Sequence, residues 1–184
     1  MPKTTVQAQD ILHFWFEELT DKQHFAKDAA LDEMIRTRFG QTLGAAMRCE
    51  LFAWRATAEG ALAEIILLDQ FSRNIFRDTP RAFAQDAMAL ALAQVLVATG
   101  QNQLLSPVQR RFAYMPYMHS ESALIHVQAV QLFAQPGFED ALHFELRHQA
   151  IIARFGRYPH RNAALGRVSS PEELAFLSEA GSSF

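Results

Sequence analysis

Apolar residues recur along this chain at spacings of three and four, and no segment shows the sustained alternation that is typical of a half-buried strand. Near the start, one apolar stripe consists of Ile11, Leu12, Trp15, Phe16 and Leu19. The pattern predicts an all-α fold of about seven to nine helices. Because there is no Ser-, Gly- or Pro-rich linker and no convincing repeat, residues 1–184 are predicted to form one compact domain.

Capping signals predict the helix boundaries. A Ser or Thr before Pro supplies an acceptor for the first turn, and the proline has no amide hydrogen that needs a partner. Such pairs are Thr79-Pro80, Ser106-Pro107 and Ser170-Pro171, and glycines typical of helix C-termini are Gly100 and Gly156. Helices are predicted at about 6–19, 28–54, 58–70, 80–100, 121–135 and 138–155, and from 107 and 171 onward. Expected irregularities are a cap at Thr4 or Thr5, a break near Gly40 or Gly44, and a kink at Pro116.

Length, charge and cysteine content limit the function classes. The chain has 184 residues and a formal net charge of −3, which argues against a nucleic-acid binder. The single cysteine, Cys49, excludes an intramolecular disulfide, and the N-terminal segment lacks the apolar core of a secretory signal, so a cytoplasmic location is expected. The apolar runs at 61–68 and 87–98 are too short or are interrupted by Glu64 and Gln94, so we interpret them as buried helices and expect no membrane span.

Polar residues on otherwise apolar stripes are the first candidates for chemistry, because an unpaired buried polar group costs about 1 to 3 kcal/mol. Asp69 falls on such a stripe with Arg73 one turn later, which suits a structural ion pair as well as a site. His119 and His148 fall on the apolar stripes of two later helices and are candidates for proton transfer, although each also suits the role of a satisfied core histidine. Glu121 is close enough in sequence to orient His119 or to raise its pKa.

Two segments, QFSRNIFR (70–77) and RFGRYPHRN (154–162), combine arginine and asparagine with aromatic residues. The stretch from Arg147 to Arg167 contains five arginines and no acid. Arginine suits fixed, bidentate contact with a carboxylate or phosphate, so this composition favours an anion site. Alternatively, the same donors cap carbonyls at helix ends. We interpret the two segments as one shared, partly buried polar cluster that is either an active site or a structural lock.

Metal and cofactor chemistry is not predicted. Glu145 and His148 have the i, i+3 spacing of a di-iron ligand pair, but no second Glu-x-x-His occurs. The sequence has no Gly-rich phosphate loop, no HExxH and no G-x-S-x-G, and no local motif marks Cys49 as a nucleophile. We therefore expect neither a bound metal nor a cofactor.

Several motifs, in order, resemble the bacterial family called domain of unknown function 924. They are ILHFWFEEL, the helix around Trp54, LLDQFSRNIFRDTPRAFAQDAMALALA, SPVQRRFAYMPYMHSE, IIARFGRYPHRNAALGR and SSPEELAFLSEAGSSF. The resemblance covers nearly the whole chain and implies an all-α fold similar to the right-handed superhelices of tetratricopeptide-repeat proteins, without implying a function. This chain departs from the family pattern at Ser72, at 115–118 and after Glu121, where relatives tend to continue with an acidic, Gln-rich turn.

The positions that match the family pattern complete the set of candidate site residues. The catalytic candidates are His119 and His148. The ligand-binding candidates are Asp69, Gln70, Arg73, Asn74, Arg77, Ser120, Glu121, Arg154, Arg157, His160, Arg161 and Asn162.

Two functions of different classes are open at this stage. In the first, Arg73, Arg157 and Arg161 hold a small carboxylate or phosphate while His119 or His148 moves a proton, as an enzyme would. In the second, the chain is a helical-repeat-like scaffold that binds a peptide or protein partner without catalysis, and its Arg and Asn segments lock helix ends. The first is slightly favoured, because inward-facing His and Asp are costly where a scaffold can use apolar residues.

Overall fold

Helices make up all the regular secondary structure of residues 6–182, the part of the chain that the computed structural model describes. The α-helices are α1 (Ala8–His13), α2 (Asp21–Phe25), α3 (Ala29–Met47), α4 (Ala58–Ile66), α5 (Ser72–Ile75), α6 (Asp86–Ala98), α7 (Pro107–Met118), α8 (Ala123–Phe133), α9 (Glu139–Phe155) and α10 (Pro171–Leu177). The π-helical turn Phe14–Glu18 continues α1, and the turn Leu67–Phe71 joins α4 to α5. Without the short 3₁₀ turns, residues 6–182 thus contain nine continuous helical segments, which confirms the all-α prediction.

These residues divide into two compact units. Unit 1 comprises the chain up to Arg77 together with Arg81–Pro116. Unit 2 comprises Asp78–Pro80 and the chain from Tyr117 onward. The single domain and the tetratricopeptide-like superhelix stay predictions.

The first long helices differ from their predicted course. The caps expected for the first helix, Thr4 and Thr5, lie outside the described residues. The predicted break at Gly40 or Gly44 is wrong, because α3 runs through both glycines. Packing outweighs their low helix propensity, and the buried apolar stripe of α3 consists of Leu31, Ile35, Phe39 and Leu43. The helix ends instead just before Cys49, a residue with a left-handed φ of 59°.

The third predicted helix extends beyond Gln70. The π turn Leu67–Phe71 carries the chain directly into α5, which ends at Ile75. No glycine or proline stands between Gly60 and Pro80 to stop it. The segment QFSRNIFR therefore lies largely within a helix, and the helix end predicted at about residue 70 is wrong.

The fourth helix begins later than the Thr79-Pro80 pair predicts. Pro80 opens only a short 3₁₀ turn, Pro80–Ala82, and α6 begins at Asp86. An acid in the first turn suits the positive end of the helix dipole. The end of this helix is as predicted, because Gly100 there adopts a left-handed φ of 73°.

The other predicted caps are confirmed. Helices begin at Pro107 and Pro171, and Gly156 stops α9 with a φ of 69°. Ser170 and Glu173 form a reciprocal capping box, in which each side chain accepts the backbone N–H of the other residue. These boundaries depend on local backbone chemistry alone, which explains why they are readable from sequence.

Unit 1 has an aromatic core. The ring centroid of Phe14 lies 5.0 Å from that of Phe39 and 5.9 Å from that of Phe71, and Phe39 and Phe71 are 5.3 Å apart. Trp15 completes the group at 5.5 Å from Phe71. These rings come from α3 and the two π-helical turns, so the core fixes those three elements against one another.

Gly60 allows close backbone packing at the start of α4. Its N–H donates to Thr57 Oγ1 at 3.1 Å, as expected for a threonine N-cap. A Cβ added at Gly60 would stand 2.0 Å from the carbonyl oxygen of Trp54. No side chain fits at this position unless the backbone around Trp54 moves.

Unit 2 is organised around α8 and α9. Tyr158, which follows α9, is fully buried and packs with Ile151 and Ile152 from the last turns of that helix. The ring of Phe133, at the end of α8, lies 6.5 Å from that of Phe138. Polar residues interrupt the buried stripes of both helices, namely His126 in α8 and Glu145 and His148 in α9.

The apolar helix α6 is buried on one face only. Its buried positions, Ala89, Ala93 and Leu96, follow helical spacing, while Val95 is 60% exposed. Among the described residues, Pro80–Ala98 is the one helical stretch long and apolar enough to cross a membrane, and 22% of that window is buried. A single stretch of this kind is weak evidence for a membrane span. The prediction of a buried helix here holds for the inner face alone.

Candidate functional site

In unit 1, the first arginine of QFSRNIFR is fully engaged by acids. Arg73 makes a bidentate contact with Asp86, at 2.8 and 2.9 Å, and lies 3.1 Å from Asp69 Oδ1. Asp69 is buried, as predicted, and its carboxylate also accepts a hydrogen bond from the amide of Gln70. Arg73 therefore locks α6 to the turn that joins α4 and α5.

The remaining polar residues of this segment bind α3. Arg77 contacts both carboxylate oxygens of Asp32, at 2.6 and 2.8 Å, and Asn74 donates to the same group at 2.8 Å. The two arginines of the segment thus face three carboxylates, those of Asp69, Asp86 and Asp32. Because these carboxylates neutralise both arginines, the segment has no excess positive charge that could bind an anion. We therefore interpret these contacts as a structural network.

In unit 2, Arg157 of RFGRYPHRN is likewise paired. It donates to both carboxylate oxygens of Glu173, at 2.6 and 2.8 Å, and to the carbonyl oxygen of Val168 at 2.9 Å. Glu173 is buried and also accepts the amide of Asn162 at 3.2 Å and the backbone N–H of Ser170 at 2.7 Å. This network joins the end of α9 to the start of α10.

We expect the Glu173 network to make stability depend on pH. The hydrogen bonds from Arg157, followed by that from the Ser170 N–H, lower the pKa of Glu173 from 4.5 to about 2. Because this folded-state pKa lies below the ordinary value, its contribution to stability is complete above pH 4.5 and is lost as the pH falls toward about 2. In Glu173→Gln, the difference in Tm from the wild type should therefore shrink across that range.

Thermal melts followed by circular dichroism between about pH 6 and pH 2.5 measure this difference. The matched control is Glu179→Gln, which changes an exposed glutamate of the same unit. A Glu173→Gln difference that stays constant with pH would contradict the assignment.

The other arginines after α9 hold carbonyls and a second acid. Arg167 contacts both oxygens of Glu121 at 2.7 and 2.9 Å, and Glu121 also accepts the backbone N–H of Tyr158 at 2.8 Å. Arg161 donates to the carbonyl oxygen of His119, just past the end of α7, at 2.9 Å. Glu121 thus binds Arg167 and the Tyr158 backbone. Its interaction with His119 stays a prediction.

A fully buried His126 and Glu145 join α8 to α9. His126 Nδ1 lies 2.7 Å from Glu145 Oε1, and Nε2 lies 2.8 Å from the carbonyl oxygen of Ser120. Because a carbonyl only accepts, Nε2 carries a proton, and Nδ1 shares a further one with the carboxyl group. Burial raises the pKa of Glu145, and the hydrogen bond with His126 opposes that effect. Within residues 6–182, Oε2 of Glu145 has no hydrogen-bond partner.

Histidines surround the ring of Tyr158. The ring centroids of His148, His160 and His126 lie 5.6, 5.5 and 6.3 Å from it. Burial first, and then the neighbouring histidines, lower the pKa of His148 to about 3, and its Nδ1 lies 2.7 Å from the carbonyl oxygen of Phe144. His148 points inward as predicted, but such a pKa makes it a weak base near neutral pH. His119 is half-buried.

The predicted site residues fall into two groups. Those of each segment lie together in one unit, and the two segments belong to different units. Asp69, Gln70, Arg73, Asn74 and Arg77 belong to unit 1. The unit 2 candidates are His119, Ser120, Glu121, His148, Arg154, Arg157, His160, Arg161 and Asn162. The shared cluster stays a prediction.

Sequence reasoning missed His126 and undervalued Glu145. His126 shares the buried face of α8 with Ala129 and Phe133, at spacings of three and four residues. That helical period was the available signal, because a histidine on such a stripe needs a polar partner. Glu145 was considered only as a metal ligand, and no group of three or more potential metal ligands occurs among the described residues.

Arg154 differs from the other arginines of this region. Its guanidinium carbon lies 4.6 Å from the ring centroid of Phe155 and 5.8 Å from that of Phe176. Within residues 6–182, no acid forms an ion pair with it. It lines a groove of about 500 Å³, which we call the Arg154 groove, together with Phe155, Arg157, Ser170, Glu172 and Glu173.

Fold and site together define an all-α protein whose Arg- and Asn-bearing motifs are mostly engaged in internal ion pairs. A family model for a bacterial protein of unknown function, DUF924, matches residues 11–181, and the chain belongs to that family. The structure is similar to that of a protein of unknown function from Agrobacterium tumefaciens, with 38% identity and a TM-score of 0.87. The match covers 94% of this chain and 97% of the other. No curated protein matches the chain.

Proposed function

We propose that unit 2 binds a small organic anion, a carboxylate or phosphate, in the Arg154 groove. The observation that carries this proposal is the state of Arg154, whose guanidinium rests on aromatic rings and has no acid partner within residues 6–182. Packing on a ring fixes the face of a guanidinium and leaves its N–H edge available for bidentate contact with an anion.

The pairing of charges supports Arg154 as the anion-binding residue, rather than Arg73 or Arg157. Arg73 and Arg157, two of the predicted anion holders, each donate to both oxygens of a carboxylate. An external anion would have to displace those internal carboxylates, and one of them, Glu173, is buried. Arg154 requires no such exchange. The volume of the groove, about 500 Å³, is in the range of small-molecule sites.

The proposal concerns binding and includes no catalytic step. His148, one of the two predicted proton carriers, is buried against Tyr158 and is neutral at physiological pH. The expected location is the cytosol, which is supported by the single cysteine, Cys49.

Arg154→Gln is expected to reduce the stabilisation of the protein by anions. Thermal-shift titrations with acetate, benzoate, 3-phenylpropanoate and inorganic phosphate are to be compared for the wild type and the variant. A lost charge-assisted contact is worth about 1.5 to 3 kcal/mol, so binding should weaken roughly tenfold or more. Because Arg154 is exposed, the variant should fold normally.

The matched control is Arg81→Gln. Arg81 is also exposed and also stacks on a phenylalanine, with its guanidinium carbon 3.8 Å from the ring centroid of Phe76. This variant should respond to anions as the wild type does. If no anion stabilises the wild type more than Arg154→Gln, the proposal is wrong.

A further inference from the structure

The Arg154 groove continues into a second, more apolar lobe. This lobe has a volume of about 280 Å³, and Arg154 and Phe155 line both lobes. Its apolar walls are Ala150, Ile151, Phe155, Phe176 and Ala180. Gly181 and Arg147 also line it, and the guanidinium of Arg147 donates to the carbonyl oxygen of Gly181 at 3.1 Å. A ligand held at Arg154 can therefore place an apolar group beside these residues.

The first lobe carries an anionic side chain, Glu172, as well as the cationic Arg154. Glu172 accepts a hydrogen bond from the hydroxyl of Ser170 at 2.8 Å, and its carboxylate otherwise faces solvent. The remaining charges of this lobe, those of Arg157 and Glu173, are paired with each other. In this first lobe, Arg154 and Glu172 are the charged side chains left to meet the charges of a ligand.

Arg154 and Glu172 are near each other without forming an ion pair. The backbone N–H of Glu172 itself and the Ser170 hydroxyl lower the pKa of Glu172, and the charge of Arg154 acts in the same direction. Within residues 6–182, however, no nitrogen–oxygen contact of 4.0 Å or less joins the two side chains. Two opposite charges that share a groove and remain apart leave space for a ligand that carries both charges.

We infer that the ligand of this groove is a zwitterion, a free α-amino acid with a large apolar side chain. Arg154 holds its carboxylate, Glu172 holds its ammonium group, and the side chain occupies the apolar lobe. The ammonium and carboxylate groups of an α-amino acid are attached to one carbon. Recognition of both groups therefore requires an anionic and a cationic side chain in the same groove. This inference rests on the proposed function, because it assigns the anion of that site to an amino acid carboxylate.

Titration calorimetry with four probes tests the inference. L-Phenylalanine carries all three recognised groups, while 3-phenylpropanoate lacks the ammonium group, 2-phenylethylamine lacks the carboxylate and glycine lacks the side chain. Wild-type protein should bind phenylalanine about tenfold more tightly than each of the other three probes.

Glu172→Gln should lower the affinity for phenylalanine to that for 3-phenylpropanoate and leave the latter unchanged. The matched control is Glu59→Gln, because Glu59 occupies the same second helical position after a hydroxyl N-cap, at the start of α4. That control should bind all four probes as the wild type does.

The outcomes separate the inference from the proposed function. If 3-phenylpropanoate binds as tightly as phenylalanine and Glu172→Gln changes neither affinity, the zwitterion is ruled out and the anion site stands. If neither probe binds the wild type more tightly than Arg154→Gln, both proposals are overturned. Binding of phenylalanine that Arg154→Gln weakens and Glu172→Gln lowers to the 3-phenylpropanoate level supports both.

Discussion

Gly60→Ala is expected to lower the free energy of unfolding by about 3 kcal/mol, although alanine is the better helix former. The added Cβ would stand 2.0 Å from the carbonyl oxygen of Trp54 and 2.8 Å from its carbonyl carbon, and neither backbone atom can rotate away. For a chain of this size the loss corresponds to a fall in Tm of roughly 6 to 12 °C, measurable by thermal or urea denaturation.

Gly40→Ala is the matched control, because it makes the same substitution inside α3, where nothing lies within 4 Å of the new Cβ. Here the reduced freedom of the unfolded chain should raise stability by about 0.5 to 1 kcal/mol. The two substitutions should thus have opposite signs. A Gly60→Ala variant as stable as the wild type would contradict this prediction, because it would show that the backbone around Trp54 moves at little cost in free energy.

His126→Ala is expected to cost about 3 kcal/mol or more. Both His126 and Glu145 are fully buried, and the substitution would leave the carboxyl group of Glu145 without its partner, while Oε2 already has none among the described residues. It would also free the carbonyl oxygen of Ser120. Urea denaturation at neutral pH measures the loss.

His143→Ala provides the control for this prediction. His143 lies on α9, two residues before Glu145, and is exposed, so its removal should change the free energy of unfolding by less than about 0.5 kcal/mol. Equal losses in the two variants would mean that the buried pair is not a stabilising connection between α8 and α9.

The helices and several of their ends were predictable from the sequence because both depend on neighbours a few residues away. Pro107 and Pro171 start helices, and Gly100 and Gly156 stop them, for reasons of backbone geometry alone. Where tertiary packing competes with propensity, the prediction was wrong. Gly40 lies within an unbroken helix, because the apolar stripe of α3 is buried on the core of unit 1.

The candidate site was predictable as a set of residues but not as a set of contacts. An arginine-rich stretch without acids suggested an anion site, yet Arg167 meets Glu121, 46 residues earlier, and Arg157 meets Glu173, 16 residues later. Sequence spacing shows no such pairing, since the acids lie on other elements. The same argument applies to Arg77 and Asp32, which are 45 residues apart.

The sequence was sufficient to predict an all-α protein, the positions of most helices and the burial of Asp69 and His148. These properties follow from periodicity and capping, which act over one or two helical turns. Tertiary structure alone decided which arginines are neutralised, and it left Arg154 as the one in RFGRYPHRN that lies in a groove without an acid partner in residues 6–182. That outcome depends on long-range pairing of charges, which no local pattern encodes.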